Sequence, residues 1–468
     1  MVRQTPVKQT SLQKEKSITN ERRPTAKNIR LQSQGVIMNE SVARRKNSTQ
    51  RNYSKTDNGL MSFAVGAIKD KGGLFAKGAF DLKLFIFLAV ALVFGLVMLY
   101  SASYPDGYSA AGDPAYYFKK QLTGVIIGAV LMIMISKINY KMFMEIGGIG
   151  GSLVSMGLLV LVLVMGENED GSSIKRWMRI GPIEFQPSDI AKLTLILTLS
   201  YVLYILHPYV VSKKPLRWTA AQKINALVGK PVLNESAIAV FICAVIILAY
   251  VGLVLIGSHL SGAIIMMGIA VVVLYTGEVR LTWFALGIVC CIIAFAFAYF
   301  TGIIKPYQIQ RILSFVGDNE DPLGADWQTN QALYAIGSGG FFGKGLGQSI
   351  QKYDYVPEPQ NDMIYSIIVE ELGFVGGVAI IILFALIIWR GTVIGINSTT
   401  RYGAMVAFGI TFKLAMQVAL NIGVATDFIP NTGITLPFFS YGRTALVVNL
   451  IEMGVLLSIS RSSRIRKD

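Results

Sequence analysis

The sequence predicts an all-α polytopic membrane protein with about ten transmembrane helices, and three observations predict it. The 468 residues are 53% hydrophobic and only 15% charged, with a mean hydropathy of +0.52, too few charges for an ordinary soluble protein. From Leu84 onward the chain is a succession of apolar runs, each of roughly 17–25 residues, the length that crosses a hydrocarbon layer as a helix. A single long polar stretch, Lys305 to about Gln360, separates the seventh run from the eighth, and a loop of that length is rarely passive.

In chain order, residues 1–60 are rich in Gln, Ser, Thr, Asn, Lys and Arg. They lack the apolar content to fold alone and read as a disordered basic cytoplasmic tail. Residues 1–83 hold seventeen Lys and Arg against six Asp and Glu, so +11 of the net +15 lies there. The clusters Arg22-Arg23 and Arg44-Arg45-Lys46, next to a first span, point to the cytoplasmic face and to anionic membrane lipid, with no nucleic acid partner expected. Residues 61–83 mix apolar residues with Lys and Gly, as an interfacial amphipathic segment does. No small-residue cleavage site follows a short apolar stretch, so no removable signal peptide is expected.

The ten runs cover about 84–104, 119–136, 145–165, 190–206, 236–256, 260–276, 281–304, 363–389, 403–426 and 444–460. Run length and the need to satisfy the backbone internally make them helices rather than barrel strands. With the basic tail inside, the inner loops carry Lys137 and Lys141, then Lys213, Lys214, Arg217, Lys223 and Lys230, then Arg280, then Arg390 and Arg401. The basic end, residues 461–468, is also inside, and the positive-inside bias holds throughout. The membrane domain is therefore 84–460, and its large loop, 305–362, is extracytoplasmic.

Cations in the outer loops run against that bias. Lys175, Arg176, Arg179, Arg311, Lys344 and Lys352 suit a lipid diphosphate or another anionic head group, because guanidinium and ammonium pair with phosphate oxygens. The alternative is that they snorkel or pair with loop acids. Charges inside the spans are the second anomaly: Asp189 and Lys192 in the fourth, Glu370 and Glu371 in the eighth, Lys413 in the ninth. Such residues face the bundle interior and pair, and an ion pair between Lys413 and one of the two glutamates is the expected arrangement. The three cysteines lie in apolar runs, and with only His207 and His259 there is no zinc spacing. The glycine-rich stretch 337–347 lacks the Gly-Lys-Ser/Thr ending of a nucleotide loop. It reads as tight re-entrant backbone or as a lid over a lipid head group. Asp321, followed by Pro322-Leu-Gly324, has the pattern of a turn or a helix start.

Several dispersed motifs resemble one family. Lys175-Arg-Trp177-Met-Arg-Ile-Gly181-Pro-Ile-Glu-Phe185-Gln-Pro-Ser188-Asp-Ile-Ala-Lys192, Asp321-Pro-Leu-Gly324, Ala335-Ile-Gly-Ser-Gly-Gly340, and Asn421-Ile-Gly423 with Thr432-Gly-Ile-Thr-Leu-Pro437-Phe-Phe-Ser440-Tyr-Gly442 resemble the SEDS proteins of cell shape, division and sporulation. The segment 347–358 is similar to the FtsW/SpoVE branch. The resemblance implies a peptidoglycan glycosyltransferase of the bacterial cytoplasmic membrane that polymerises lipid II. It would work with a class B penicillin-binding transpeptidase and other division or elongation proteins. It also implies that Asp321 is the catalytic carboxylate. No resident cofactor is implied, and a loosely bound Mg or Mn ion is compatible. Departures from the family pattern stand at Asp189, at Arg443, at Gln360-Asn361 and around His259. A lipid II flippase, or a non-catalytic scaffold of the wall-synthesis complex, would use the same spans but would not need Asp321.

Overall fold

In the computed structural model, residues 75–76, 78–168, 175–181, 183–212, 235–300 and 327–463 are described. The basic tail, most of the 61–83 segment, the part of the long loop that carries Arg311 and Asp321, and residues 464–468 lie outside the described residues. Every apolar run is a helix: α1 (Leu82–Ala111), α2 (Tyr116–Lys137), α3 (Gly151–Met165), α4 (Pro187–Val210), α5 (Glu235–Ile256), α6 (Leu260–Thr276) and α7 (Leu281–Phe300). After α8 (Trp327–Gly339) in the long loop come α9 (Ile364–Ile396), α10 (Arg401–Ala425) and α11 (Arg443–Arg461). Lipid offers no partner to a peptide N–H or C=O, so a helix is the conformation each run can hold there. Among the described residues eight helices are long and apolar enough to cross a membrane, α3 together with the π-helical turn Ile146–Gly150 before it; α6 and the Leu281–Ile293 part of α7 are apolar but shorter.

Local signals set the ends. Asp81 caps α1 by accepting from the Leu84 amide at 2.9 Å, Thr400 caps α10 through the Gly403 amide, and Pro187 opens α4 at the position where its missing N–H costs nothing. The three helices whose apolar windows are 67% buried are α4, α10 and α11, against 22% for α2, so these three form the centre of the bundle. Small residues let α2 close onto α11. A Cβ on Gly128 would stand 2.6 Å from a Leu450 methyl, and one on Gly454 2.8 Å from the Met132 carbonyl, the close approach that drives helix association in lipid.

At one end of the bundle the Asp81 carboxylate pairs with Arg390, and the Asp81 amide donates to Ser460 Oγ at 3.0 Å. The chain just before α1 is extended there, bridging Phe75 to Ile138. At the other end the loop between α3 and α4, which carries Lys175, Arg176 and Arg179, holds a small antiparallel sheet. Strands β1 (Glu167–Asn168), β2 (Lys175–Ile180) and β3 (Ile183–Phe185) run in that order, with Arg179 opposite Glu184. The second half of the long loop is structured as well: α8 and the glycine-rich turn after it pack onto α9.

Candidate functional site: a broken helix and paired buried charges

Helix α8 starts six residues after Asp321 and is tied down at both ends. At its start Trp327 Nε1 donates to the Tyr355 carbonyl at 3.1 Å, and Gln328 bridges the Asp362 carboxylate at 3.2 Å to Asn431 at 2.7 Å. At its end Gly339 lies so close to α9 that a Cβ would fall 2.1 Å from the Val369 carbonyl oxygen.

Beyond α8 the chain enters a break in α9. Gly373 has φ 70° and ψ −169°, a conformation open to glycine and costly to other residues. The break leaves helix carbonyls and amides free on either side, and the glycine arch 340–347 takes them up. Lys344 and Gly345 donate their amides to the Glu370 and Glu371 carbonyls at 3.0 and 2.9 Å, and the Phe374 and Val375 amides donate to Gly340 and Phe341 at 2.9 and 3.2 Å. Gly343, with φ 82°, faces the Glu371 carbonyl at a distance that would put a Cβ 2.1 Å away.

The two glutamate side chains finish the cradle, and both are fully buried. Glu370 accepts from the amides of Ile350 at 3.1 Å and Gln351 at 3.3 Å, from Ser349 Oγ, and from Lys344 Nζ at 2.7 Å. Glu371 accepts from the Gly347 amide at 3.0 Å, from Ser101 of α1, and from Lys352 Nζ at 2.9 Å. The two carboxylates and two ammoniums cancel in charge, and the remaining lone pairs are taken by backbone N–H groups, the condition under which buried charge is tolerated.

Lys413 is therefore not paired with either glutamate, contrary to the expectation from sequence. Its Nζ donates to Glu452 at 2.8 Å and Asn449 at 2.7 Å, joining α10 to α11 in the middle of the bundle. Its reach is spent there, while Glu370 and Glu371, near the start of α9, have the arch lysines beside them. Glu452, which sequence reasoning missed, is the acid inside the last apolar run and could have been found on that ground. In α4, Lys192 pairs with Asp189 at 2.7 Å across one helical turn. Asp189 and Glu452 each lie within the electrostatic reach of both Lys192 and Lys413.

Of the remaining predicted cations, Arg176 donates to the Ser258 carbonyl at 2.6 Å, and its Nε is buried without a partner. It lines a small cleft with Ser188, His259 and apolar residues of α3 and α5. His259, just before α6, is held by Ser188 at 3.1 Å. Burial, with Lys192 and Arg176 nearby, pushes its pKa down to about 3, so the imidazole is neutral. Arg179 is exposed, 4.0 Å from Glu184. Lys175 belongs to β2. Arg311 and Asp321 lie outside the described residues. Among the described residues no group of three or more His, Cys, Asp or Glu could hold a metal ion, so these residues do not fit a resident metal.

The fold and these paired charges define a polytopic helical membrane protein. The chain belongs to the cell cycle protein family of FtsW, RodA and SpoVE, whose family model matches residues 82–465, and within it to the FtsW/SpoVE branch of the SEDS proteins. It is 36% identical to stage V sporulation protein E of Bacillus subtilis, with 82% of this chain and 98% of the relative covered. It is 32% identical to the probable peptidoglycan glycosyltransferase FtsW of Trichlorobacter lovleyi, covering 82% and 94%. Among solved structures it resembles a chain from work on a peptidoglycan synthase complex that coordinates polymerization and crosslinking, with a TM-score of 0.61, 26% identity and coverage of 82% and 98%. The rod shape determining protein RodA of Thermus thermophilus matches with a TM-score of 0.55 and 25% identity over 83% and 99%.

Proposed function

We propose that this chain is a peptidoglycan glycosyltransferase that polymerises lipid II into glycan strands at the outer face of the cytoplasmic membrane, in septal or sporulation wall synthesis. The observation that carries the reading is its likeness to SpoVE and FtsW over nearly their whole lengths. Asp321 is the proposed general base. A sugar hydroxyl is a poor nucleophile at neutral pH, and a carboxylate placed against it takes the proton as the oxygen attacks the anomeric carbon of the lipid-diphosphate donor. An α-linked donor that becomes a β-linked product is inverted once, so one base suffices and no covalent intermediate forms.

The departing diphosphate is met by outer cations. Arg176, with its unpartnered buried Nε, leads this group, together with Lys175, Arg179 and Arg311. Lys192, Lys344 and Lys352 are engaged in ion pairs with Asp189, Glu370 and Glu371 and do not belong to it. A divalent ion would arrive with the diphosphate, and no step here depends on one. Both termini are cytoplasmic in this reading, so an impermeant maleimide added to intact cells should label Tyr355→Cys.

The polymerisation assay uses purified chain and lipid II, with and without a single-span class B transpeptidase. Asp321→Asn keeps the turn-forming ability of the aspartate but cannot take a proton, so a loss of about 10²–10⁴-fold is expected. Asp318→Asn, Glu320→Gln and Asp326→Asn should be far milder. Near-normal synthesis by Asp321→Asn would remove the catalytic role and favour a flippase or a scaffold, whose action is indifferent to that proton. Equal synthesis with and without the transpeptidase would remove the partner's activating role.

A further inference from the structure

The arch after α8 carries a row of large apolar side chains that the bundle does not cover. Phe341 is 59% exposed, Phe342 79%, Leu346 53% and Ile350 56%. On a water-facing loop this would be an unusual display, and the depth of the arch explains it.

Depth can be read along two helices. Asp81 caps the start of the first apolar run and pairs with Arg390, beside which Trp389 is 52% exposed, as an aromatic belt residue is. This pair marks one boundary of the hydrocarbon. Glu371 lies nineteen residues from Arg390 along α9, roughly 28 Å at about 1.5 Å per residue. Its partner Ser101 lies twenty residues from Asp81 along α1, roughly 30 Å by the same measure. Both place the glutamate pair at the opposite boundary of a core about 30 Å thick.

The tip of the arch is deeper than the glutamates. Phe341 accepts from the Val375 amide and stacks on Phe374 with ring centroids 5.8 Å apart, while Phe342 packs edge-on against Phe341. That level is sixteen residues from Arg390, roughly 24 Å, inside the acyl layer by several ångströms. The apolar tip is also continuous with the outward face of α9, where Phe374 is 59% and Val375 45% exposed. Most of the arch backbone is satisfied within the protein, as chain at membrane depth requires: the amides of Gly343–Gly345 and of Gly347–Lys352 donate to carbonyls, to Ser349 or to the two carboxylates.

We propose that α8 and the arch form a re-entrant hairpin whose apolar tip, Phe341 and Phe342 with Leu346 and Ile350, is immersed in the acyl chains of one membrane leaflet. Lys344 and Lys352, on the inner side of the arch, neutralise the carboxylates that hold it there. This follows from depth and hydrogen bonding and stands whether or not the chain polymerises lipid II.

The test uses full-length protein in nanodiscs of phosphatidylethanolamine and phosphatidylglycerol, with Cys243, Cys290 and Cys291 replaced by alanine. A bimane label is placed at Phe342→Cys, and in a second variant at Leu346→Cys, so that one folded protein is enough. Ile382→Cys on the lipid face of α9 and Tyr355→Cys are the two reference sites. Bromine-bearing acyl chains should quench the tip labels severalfold more than aqueous iodide does, following Ile382, with Tyr355 the reverse. Iodide quenching at both tip sites without bromolipid quenching would overturn the proposal. So would tip labels that lose bromolipid quenching when a single-span transpeptidase is added, because the tip would then be a protein-docking surface.

Discussion

The Glu370–Glu371 cradle and the Lys413–Glu452 pair are both buried and both neutral, yet they use charge differently. In the pair, side chain meets side chain, and the interaction joins two regular helices, α10 and α11. In the cradle, the carboxylates serve mainly backbone N–H groups of an irregular segment, and the lysines balance what the amides cannot. The difference teaches that a charge in a spanning helix is not by itself a sign of transport or catalysis. A helix pair can exchange its ion pair for apolar packing, whereas irregular backbone at membrane depth cannot do without acceptors.

The largest effect that would break this comparison is expected at the cradle. Glu371→Ala leaves Lys352 buried without a counter-charge, a cost of about 3–5 kcal/mol, and strips the Gly347 amide of its acceptor, about 1–3 kcal/mol more. Little folded protein should survive detergent extraction. Glu371→Gln separates the two contributions, since it still accepts from the amide but cannot balance Lys352. Full stability of Glu371→Ala, read by thermal denaturation in detergent, would show that the arch does not need the carboxylate.

The mid-bundle pair should behave otherwise. Lys413→Met alone leaves Glu452 uncompensated and is expected to cost about 3–5 kcal/mol, whereas Lys413→Met with Glu452→Leu should recover most of that loss. A double variant as unstable as the single one would show that the pair is required for more than neutrality. It would also bring Asp189 and Lys192 into account, because they share its field.

The sequence displayed the parts of this arrangement better than their pairing. The helices were legible because lipid permits few alternatives to each apolar run, and Glu370, Glu371 and Lys413 were visible as charges in apolar surroundings. Which lysine answers which glutamate depends on how α1, α9 and the arch meet in space, and the hydropathy of the chain does not encode that. The glycines of 337–347 permitted two readings. The break at Gly373, which favours re-entrant backbone, looks in sequence like an ordinary glycine in a spanning helix. The β2–β3 hairpin was hidden because its strands are short and carry the charges Arg179 and Glu184, while Glu452 was passed over as a single acid in a long apolar segment.

The smallest expected effect concerns His259, whose neighbourhood joins the outer cleft to the charges of α4. It faces Ser188, Gln186, Lys192, Arg176 and Asp189, and its folded pKa of about 3 lies below the ordinary 6.5. Above pH 6.5 the imidazole is neutral in both folded and unfolded chains, and its contribution to stability is fully present. Between that pH and about 3 the unfolded chain binds a proton that the folded chain refuses, so stability falls as pH falls. His259→Gln retains a hydrogen-bonding side chain for Ser188 but has no proton to bind. The melting temperature of the wild type in detergent should therefore drop more steeply than that of His259→Gln from about pH 7 to about pH 5. Carboxylates elsewhere titrate alike in the two proteins, so the difference in slope isolates the histidine. Parallel slopes would mean that His259 reaches water in the folded protein and that the cleft beside Arg176 is open to protons.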